Sequence, residues 1–349
     1  MSTPYAAPVL AWYARNARDL PWRAPGVTPW AVLVSEIMLQ QTPVARVLPE
    51  YHSWMTRWPT PAALAAEPAG EAIRQWGRLG YPRRALRLHQ TATILTERHG
   101  GEVPADVDAL RALPGIGGYT AAAVASFAFG QRHAVLDTNV RRVLARLVTG
   151  QPGAAASPSV AERRMAESLL PAEPAVAARW SVAVMELGAL VCTAASPRCG
   201  GCPVSGDCAW LAAGRRAGTA EGDEPTRGDR PAENYGAAGG DGATRGDGPG
   251  GRRTRRTQRY EGTDRQCRGR LMAVLRATGD PVRRADFDAV WDVPAQLDRA
   301  LDGLVADGLV DPLPDGRFAL PGGPASPASP ASRASRASRA SRASRARTA

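Results

Sequence analysis

The sequence contains no lysine, and all 44 of its basic residues are arginine. Any reaction that needs a lysine amine, such as Schiff-base formation, is therefore excluded. The sequence also lacks a run of about 18 apolar residues, which a membrane span would require, and its start lacks the pattern of a secretory signal. It has only five cysteines, an odd number. We therefore expect a cytoplasmic protein that uses cysteine for metal ligation rather than for disulfides.

Composition divides the chain into four parts. Its 349 residues are enough for two domains, and we expect a large one over residues 5–210 and a small module over 257–322. The stretch 211–256 is rich in Gly, Ala, Asp and Arg, which predicts a flexible linker. Residues 323–349 form a Ser/Arg/Ala repeat without large apolar side chains, which predicts a disordered tail. This basic tail contributes over half of the formal net charge of +11.

Hydrophobic periodicity predicts a mainly helical front domain. Segments such as WAVLVSEIMLQQT and AARWSVAVMELGALVC place apolar residues at helical spacing, and Pro and Gly separate them. No strand pattern is evident before residue 300. In the small module we predict helices over Asp264–Thr278, Arg284–Trp291 and Pro294–Asp307, then two short strands around a Pro-Asp-Gly turn. This order predicts a winged-helix-like module, which either contacts nucleic acid or serves docking and stability.

Four of the five cysteines lie close together in the sequence. Cys192, Cys199, Cys202 and Cys208 have the spacing C-x6-C-x2-C-x5-C. Four thiolates can hold a zinc ion or a [4Fe–4S] cube, but zinc sites usually offer two short C-x2-4-C pairs and only one is present here. The spacing therefore favours the cube, in a structural role. Arg198, beside Cys199, could present a guanidinium to a phosphate; the fifth cysteine, Cys267, is expected to be packed in a helix.

A glycine-rich turn joins two predicted helices in VDALRALPGIGGYTAAAVASFAFG. Gly115, Gly117 and Gly118 let the backbone approach a ligand closely, and N–H groups at the start of the second helix can bind an anion. Such a site suits a DNA phosphate and carries no information about the base.

Two carboxyl groups are candidates for chemistry. Glu36 is the sole acid in an otherwise apolar helix, so burial should raise its pKa. A solvent-facing Glu36 is the alternative, disfavoured by the density of apolar neighbours. Asp137 begins the predicted helix NVRRVLARL, where an aspartate commonly caps the helix and can serve a second role as well.

Five segments, in this order, resemble one known family. SEIMLQQT, LGYPRRALRL, LPGIGGYTA, VLDTNVRRVL and the cysteine loop look like the helix–hairpin–helix DNA glycosylases, which have two helical subdomains and an iron–sulfur loop. SEIMLQQT resembles the MutY family of adenine-specific mismatch glycosylases, and the resemblance covers about residues 8–210. The related endonuclease III enzymes have a catalytic lysine where this chain has Tyr119.

The resemblance implies a function in base excision repair. It implies a monofunctional glycosylase that flips adenine, paired with 8-oxoguanine or guanine, out of double-stranded DNA and hydrolyses its N-glycosidic bond. In this family pattern Glu36 protonates N7 of the adenine and then activates water, while ionised Asp137 stabilises the sugar cation. The other implied site residues are Tyr119 and Asn139 around these carboxyls, Gln40, Gln41 and Tyr81 in the DNA stack, and Trp22 and Arg23 in the base pocket. A monomer on nucleoid DNA, without membrane association, is expected.

Two departures from the family pattern bear on specificity. Val182 stands where many members have a Gln or Glu that contacts adenine, and no Nudix-like domain that reads 8-oxoguanine is recognisable in residues 257–322. Two alternatives follow: a glycosylase for thymine or uracil opposite guanine, and a non-catalytic DNA-binding protein. Tyr119 is compatible with the first, whereas the presence of both Glu36 and Asp137 disfavours the second.

Overall fold

The structure is a computed structural model that describes residues 3–218 and 260–323. Its α-helices are α1 (Ala6–Asn16), α2 (Pro29–Leu39), α3 (Val44–Arg57), α4 (Pro61–Ala65), α5 (Ala69–Gln75), α6 (Arg83–Arg98), α7 (Val107–Arg111), α8 (Gly118–Phe129), α9 (Thr138–Leu144), α10 (Val160–Ser168), α11 (Pro174–Leu190), α12 (Ala209–Gly218), α13 (Asp264–Ala277) and α14 (Pro294–Ala306). Its strands are β1 (Val282–Arg283), β2 (Asp311–Pro312) and β3 (Arg317–Ala319). The prediction of a mainly helical fold is confirmed. In the described ranges, no helix is long and apolar enough to cross a membrane.

The predicted linker and tail fall almost entirely outside the described residues. The exception at the linker is residues 211–218, which continue α12 instead of starting a flexible segment. Ala and Arg are good helix formers, so a short run of them extends a helix that has already begun. Of the predicted tail, only Gly323 is described.

Two apolar helices, α2 and α11, begin with the same local signal. A proline occupies the first position of α2 and of α11, where its missing N–H costs no hydrogen bond. The residue before each proline caps the helix: the Thr28 side chain accepts a hydrogen bond from the N–H of Ala31, and Glu173 accepts from two first-turn N–H groups. Both helices are then buried along most of their length, which holds their few polar side chains inside the protein.

Contacts group the chain into two compact units, each made from separated stretches of sequence. Of the described residues, 3–60 and 94–218 belong to the first unit. The second unit comprises residues 61–93 and 260–323, so it joins a segment near the start of the chain to the C-terminal module.

The core of the first unit lies where α1, α9 and α11 pack together. Trp12 and Trp180 are buried there among Val and Leu side chains. Cys192, Cys202 and Cys208 pack against the same cluster, so the loop after α11 is attached to the core through its cysteines.

The C-terminal module, residues 260–323, combines α13 and α14 with a three-stranded antiparallel sheet in the order β1-β3-β2. Phe318 on the central strand lies opposite Val282 and Pro312. Its ring is 6.2 Å from that of the fully buried Phe287. The predicted strands around the Pro-Asp-Gly turn are therefore confirmed, and a small apolar core closes the module.

Two details of the predicted module are wrong. The segment predicted as a helix over Arg284–Trp291 contains only a 3₁₀ turn, Arg284–Phe287. The turn is closed by a bond between residues three apart, from the N–H of Asp288 to the carbonyl of Ala285. The Asp286 carboxylate accepts the N–H of Arg283 at its start. Strand β1 was not predicted, because two residues are too few to show alternation.

Two arginines connect α5 and α13 within the second unit. Arg74 of α5 donates hydrogen bonds to the carbonyls of Leu275, Arg276 and Thr278 at the end of α13. In return, the Arg276 guanidinium donates to the carbonyl of Gly77, just after α5. Each arginine thus satisfies carbonyls that the other helix leaves unpaired at its C-terminal end.

A close backbone contact supports this arginine exchange. The N–H of Gly70 donates to the carbonyl of Pro321 at 2.7 Å. A Cβ atom on Gly70 would lie 2.8 Å from the Leu320 Cβ and 2.9 Å from the Pro321 carbonyl oxygen. Only glycine allows this approach without a shift of the backbone. Contact with the C-terminal module therefore requires a glycine at position 70.

We expect Arg74→Met to lower the free energy of unfolding by about 1–3 kcal/mol, because it leaves helix-end carbonyls without donors. Arg78→Met is the matched control, since Arg78 is exposed and lies four residues further along. Urea unfolding followed by circular dichroism measures both. Equal stability of the two variants would show that the Arg74 contacts contribute nothing.

Candidate active site

Glu36 lies in the middle of α2, and every residue of α2 from Trp30 to Met38 is buried. The side chain accepts a hydrogen bond from Tyr119 on α8, the helix that packs against α2. Burial raises the pKa of Glu36 from 4.5 to about 7, and the charge of Asp137 adds to the rise, whereas Tyr119 and Arg23 oppose it. A carboxyl with this pKa can hold and release a proton near neutrality, as a general acid must.

Asp137 caps the N-terminus of α9. One carboxylate oxygen accepts the N–H of Val140 at 2.6 Å, and the other accepts the Asn139 side-chain amide at 2.9 Å. Burial raises the pKa of Asp137, while these bonds and the nearby Arg142 lower it. The helix N-terminus therefore favours the ionised form as expected, but burial outweighs it.

A chain of hydrogen bonds runs from Asp137 to the cysteine loop. Asn139 donates to Asp137 and accepts from the Arg142 guanidinium at 2.8 Å. Arg142 also donates to the carbonyls of Gly188 at 2.7 Å and Cys192 at 2.8 Å. One guanidinium thus fixes the orientation of the Asn139 amide and holds the first residue of the loop, which ties the two sites together mechanically.

Asn139 on α9 lies in close contact with Gly188 on α11. A Cβ atom on Gly188 would lie 2.7 Å from the Asn139 Cβ and 3.0 Å from its carbonyl oxygen. The glycine is needed because any side chain would push the start of α9, and with it Asp137, away from α11.

Sequence reasoning missed a third buried acid, Glu186 on α11. Its side chain is fully buried and accepts two bonds from the Arg18 guanidinium, at 2.7 and 2.9 Å, and one from Arg23 at 2.9 Å. Burial acts to raise the pKa of Glu186, but the two arginines outweigh it, so the pKa lies below its usual range. The signal was present: Glu186, like Glu36, is the sole acid in an apolar helix.

The cysteine loop follows α11 and forms one pocket. Cys192, Cys199, Cys202 and Cys208 line it together with Arg146, Trp210 and four other residues. Burial raises the pKa of Cys199 and of Cys202, and the charges of the neighbouring thiols raise both further. A cationic group in the pocket would relieve this repulsion.

The donor set fits an iron–sulfur cluster better than one ion. Among the described residues, no three Cys, His, Asp or Glu side chains are arranged to hold a single metal ion. Tetrahedral zinc needs all four sulfurs about 2.3 Å from one point, whereas a cube binds each cysteine at a different iron and holds the sulfurs further apart. Four soft ligands around one shared pocket therefore suit the larger group.

Arg146 is a second residue that sequence reasoning missed at this pocket. It is buried and donates to the Cys192 sulfur at 3.4 Å and to the carbonyls of Thr193 and Ala194 at 2.7 and 2.9 Å. Its guanidinium also lies 4.8 Å from the centre of the Trp210 ring. It places a positive charge beside the Cys192 sulfur and fixes the loop backbone.

The glycine-rich turn has the geometry of an anion site only in part. Gly115 has φ 78° and needs to be glycine, whereas Gly117, the N-cap of α8, and Gly118 do not. A Cβ on Gly117 or Gly118 would meet no atom within 4 Å, so the backbone there is open to an approaching group. Arg198, at the start of the 3₁₀ turn Cys199–Gly201, is exposed and accessible to a phosphate.

The remaining predicted residues have different environments. Gln41 is exposed with φ 55°, while Gln40 is half-buried and its amide donates to the Thr120 hydroxyl. Trp22 is buried, with its ring 5.1 Å from that of Tyr51. In the second unit, Tyr81 is 49% exposed, also with a left-handed backbone.

We expect Gly188→Ala to lower both the melting temperature and the rate of the catalysed reaction, because the added methyl group displaces Asn139 from Asp137. Gly153→Ala is the control, since a Cβ there meets no atom within 4 Å. Thermal unfolding and single-turnover kinetics on saturating substrate measure the two effects. A Gly188→Ala protein equal to the control in both would contradict the role of the helix crossing.

Comparisons with known proteins identify the family of this chain. The family model described as HhH-GPD superfamily base excision DNA repair protein matches residues 34–169. The chain is 50% identical over 315 residues to the adenine DNA glycosylase of Mycobacterium tuberculosis, covering 90% of this chain and 92% of that protein. The adenine DNA glycosylase of Mycolicibacterium smegmatis is equally similar, with 95% of its length covered. Among solved structures, a thermostable thymine-DNA glycosylase aligns with TM-score 0.54 and 27% identity over 60% of this chain and 95% of that one. The chain therefore belongs to the MutY family of adenine DNA glycosylases within the helix–hairpin–helix superfamily.

Proposed function

We propose that this protein removes adenine from double-stranded DNA where it is mispaired with 8-oxoguanine or guanine, as a step in base excision repair. The observation that carries the proposal is the buried Glu36. Its carboxyl group has a pKa of about 7 and interacts with a second carboxyl group, that of Asp137. Two carboxyl groups with different environments are what hydrolysis of a glycosidic bond requires. The adenine DNA glycosylases that match 90% of the chain support adenine as the base.

In this mechanism the flipped adenine accepts a proton from Glu36, which weakens the bond between base and sugar. Tyr119 donates a hydrogen bond to Glu36 and orients its carboxyl group. Asp137, in its ionised form, stabilises the positive charge that develops on the sugar, and Asn139 holds it in place. Deprotonated Glu36 then accepts a proton from the attacking water. Because the chain has no lysine, the reaction ends at an abasic site without Schiff-base strand cleavage.

We infer that Cys192, Cys199, Cys202 and Cys208 hold a [4Fe–4S] cluster. When bound, the cluster would cross-link the loop through its four cysteines, and the loop has few apolar side chains of its own. Arg142 and Arg146 hold the loop backbone on the protein side. The glycine turn and Arg198 would contact DNA phosphates. A single chain contains the whole candidate site, so we propose a monomer acting on nucleoid DNA.

Excision of thymine or uracil opposite guanine is a second candidate. Val182 on α11 replaces the amide or acid that the family pattern places against adenine, and the thymine-DNA glycosylase structure shares the fold. Glu36 argues for adenine, since a purine leaving group benefits from direct protonation by an acid with a pKa near 7.

A strand-scission assay on four duplexes separates these activities. The duplexes carry adenine opposite 8-oxoguanine, adenine opposite guanine, thymine opposite guanine, and thymine glycol opposite adenine, each with and without hot alkali. Scission at adenine only after alkali supports the proposal, and the ratio of the first two rates measures lesion preference. Scission at thymine opposite guanine supports the second candidate, and absence of scission on every duplex overturns both.

Glu36→Gln should slow adenine excision about 100-fold or more, because an amide cannot deliver the proton. Glu167→Gln on α10 is the matched control, as Glu167 is exposed and outside the site. For the unaltered protein, the single-turnover rate should fall as pH rises through about 7, since Glu36 loses its proton there. Normal turnover by Glu36→Gln would overturn the assignment of the acid.

Cys199→Ser should reduce bound iron and broad visible absorption, because it removes one of four ligands. Cys267→Ser tests the same substitution at a buried cysteine on α13, outside the loop, and should retain both. Iron per chain, measured on freshly purified protein, gives the comparison. Equal iron content in the two variants would contradict the proposed ligand set.

A further inference from the structure

Glu186 is a buried acid that the proposed mechanism does not use. It lies on α11, and its side chain is completely buried. An ionised carboxylate in such a place needs a cation and hydrogen bonds. Arg18, which follows α1, supplies both: its guanidinium donates to the two carboxylate oxygens at 2.7 and 2.9 Å, and its backbone N–H donates at 3.0 Å. One arginine is therefore enough to compensate the charge of this acid.

Arg23 is a second cation on the same carboxylate. It ends the 3₁₀ turn Pro21–Arg23, and its guanidinium donates to Oε2 of Glu186 at 2.9 Å. Its side chain is only 18% exposed. Within residues 3–218 and 260–323, Glu186 is the one acceptor that the Arg23 guanidinium reaches. Glu186 therefore determines where the charge of Arg23 lies.

Arg23 in turn acts on Glu36. Burial raises the pKa of Glu36 to about 7, the Tyr119 hydrogen bond lowers it, the charge of Asp137 raises it, and the charge of Arg23 lowers it. These groups belong to α8, to the start of α9 and to the turn before α2. Glu186 thus reaches Glu36 through Arg23.

Helix α3 also packs against α2, but it brings no buried charge. Its buried Tyr51 has a pKa raised to about 12, so it is uncharged near neutral pH. The other ionisable side chains of α3 are exposed or half-buried, and they are Arg46, Glu50, His52 and Arg57.

We propose that Glu186 is a positioning residue for the catalytic acid: it holds Arg23 where its charge acts on Glu36 and compensates that charge, so that Glu36 keeps its proton at neutral pH. The inference rests on the proposed function and adds to it a residue that acts through another. Pairing with a carboxylate weakens the field of a guanidinium at a third group. An uncompensated Arg23 at the same place would favour the Glu36 carboxylate, which cannot donate a proton.

Two substitutions at position 186 separate charge from packing. Glu186→Gln keeps the shape of the side chain and one acceptor oxygen but removes the charge, whereas Glu186→Asp keeps the charge and removes one methylene group. We expect only Glu186→Gln to lower the pH at which Glu36 loses its proton, by about half to one pH unit. A merely structural role predicts the opposite order, because Glu186→Asp leaves a cavity. Glu167→Gln on α10 is the matched control, since Glu167 is exposed.

The proton on Glu36 can be followed without substrate. Infrared difference spectra of the full-length protein, taken between about pH 5 and pH 9, record the carbonyl band of protonated carboxyl groups. The part of this band that Glu36→Gln removes belongs to Glu36. Arg23→Met should raise the midpoint of its titration, because it removes a cation that lowers the pKa. Glu186→Gln added to Arg23→Met should then change the midpoint little, because its effect passes through Arg23.

Single-turnover adenine excision should follow the same titration. Glu186→Gln should be about three- to tenfold slower above the midpoint and unchanged well below it. The midpoint does not depend on the fraction of folded protein, so partial unfolding cannot mimic the shift.

Three results would overturn the proposal: a midpoint that Glu186→Gln leaves in place, an equal decrease in Glu186→Asp, or the full shift in the Arg23→Met background. A midpoint that Arg23→Met leaves in place would do so independently of any substitution at position 186. Absence of adenine excision, with the infrared shifts present, would overturn the proposed function alone.

Discussion

The burial of carboxyl groups in an apolar helical core is the constraint on which the rest of the first unit depends. Three acids lie among the helices of the first unit, and their hydrogen-bonding partners decide their charge. Glu186 is bound by two arginines and stays ionised. Asp137 accepts hydrogen bonds from the start of α9 and from the Asn139 amide. Glu36 accepts a hydrogen bond from Tyr119, and the charge of Arg23 acts on it without a hydrogen bond. Because desolvation acts on all three, the supply of compensating donors sets which acid keeps its proton. The core thus contains a structural anion and a proton donor only a few helices apart.

The same donors join the carboxyl pair to the cysteine loop. Arg142 contacts Asn139, Gly188 and the Cys192 carbonyl at once, and Arg146 holds the next residues of the loop. If the loop were not held in place, the Cys192 carbonyl that orients Arg142 would become more mobile. In the proposed function, a cluster bound by the loop would therefore influence the two carboxyl groups through the placement of the Asn139 amide.

Much of this site could be predicted from the sequence. Glu36 was identifiable because one acid in an apolar helix stands out, and Asp137 because it precedes a helix with a clear pattern. Glu186 carries the same signal, as the sole acid of α11, but the sequence does not show that Arg18 and Arg23 lie beside it. Arg142 and Arg146 could not be distinguished, since an arginine-rich chain offers many candidates and only the fold shows which guanidinium reaches which carbonyl. The buried packing of Trp22 was likewise a matter of tertiary contact.

The C-terminal module shows a different limit of sequence reasoning. Its helices and hairpin followed from periodicity and turn residues, whereas the short 3₁₀ turn and β1 depend on single hydrogen bonds. Its contacts with residues 61–93 had no local signal at all, because Gly70 and Arg74 are ordinary residues until Pro321 and the end of α13 are placed beside them. Residues 61–93 precede residue 210 in the sequence but pack with the C-terminal module. A single domain boundary at residue 210 therefore does not describe this grouping.

The division of the second unit between distant stretches has a consequence for synthesis on the ribosome. Arg74 and Thr278 are separated by 204 positions, so at about 5–20 residues per second α5 emerges roughly 10–40 s before its partner helix is complete. During that interval Gly70 and the unpaired end of α5 lie open to water or to other chains. The nascent protein is therefore exposed to misassembly and to chaperone capture during this interval, after α2 has already left the exit tunnel.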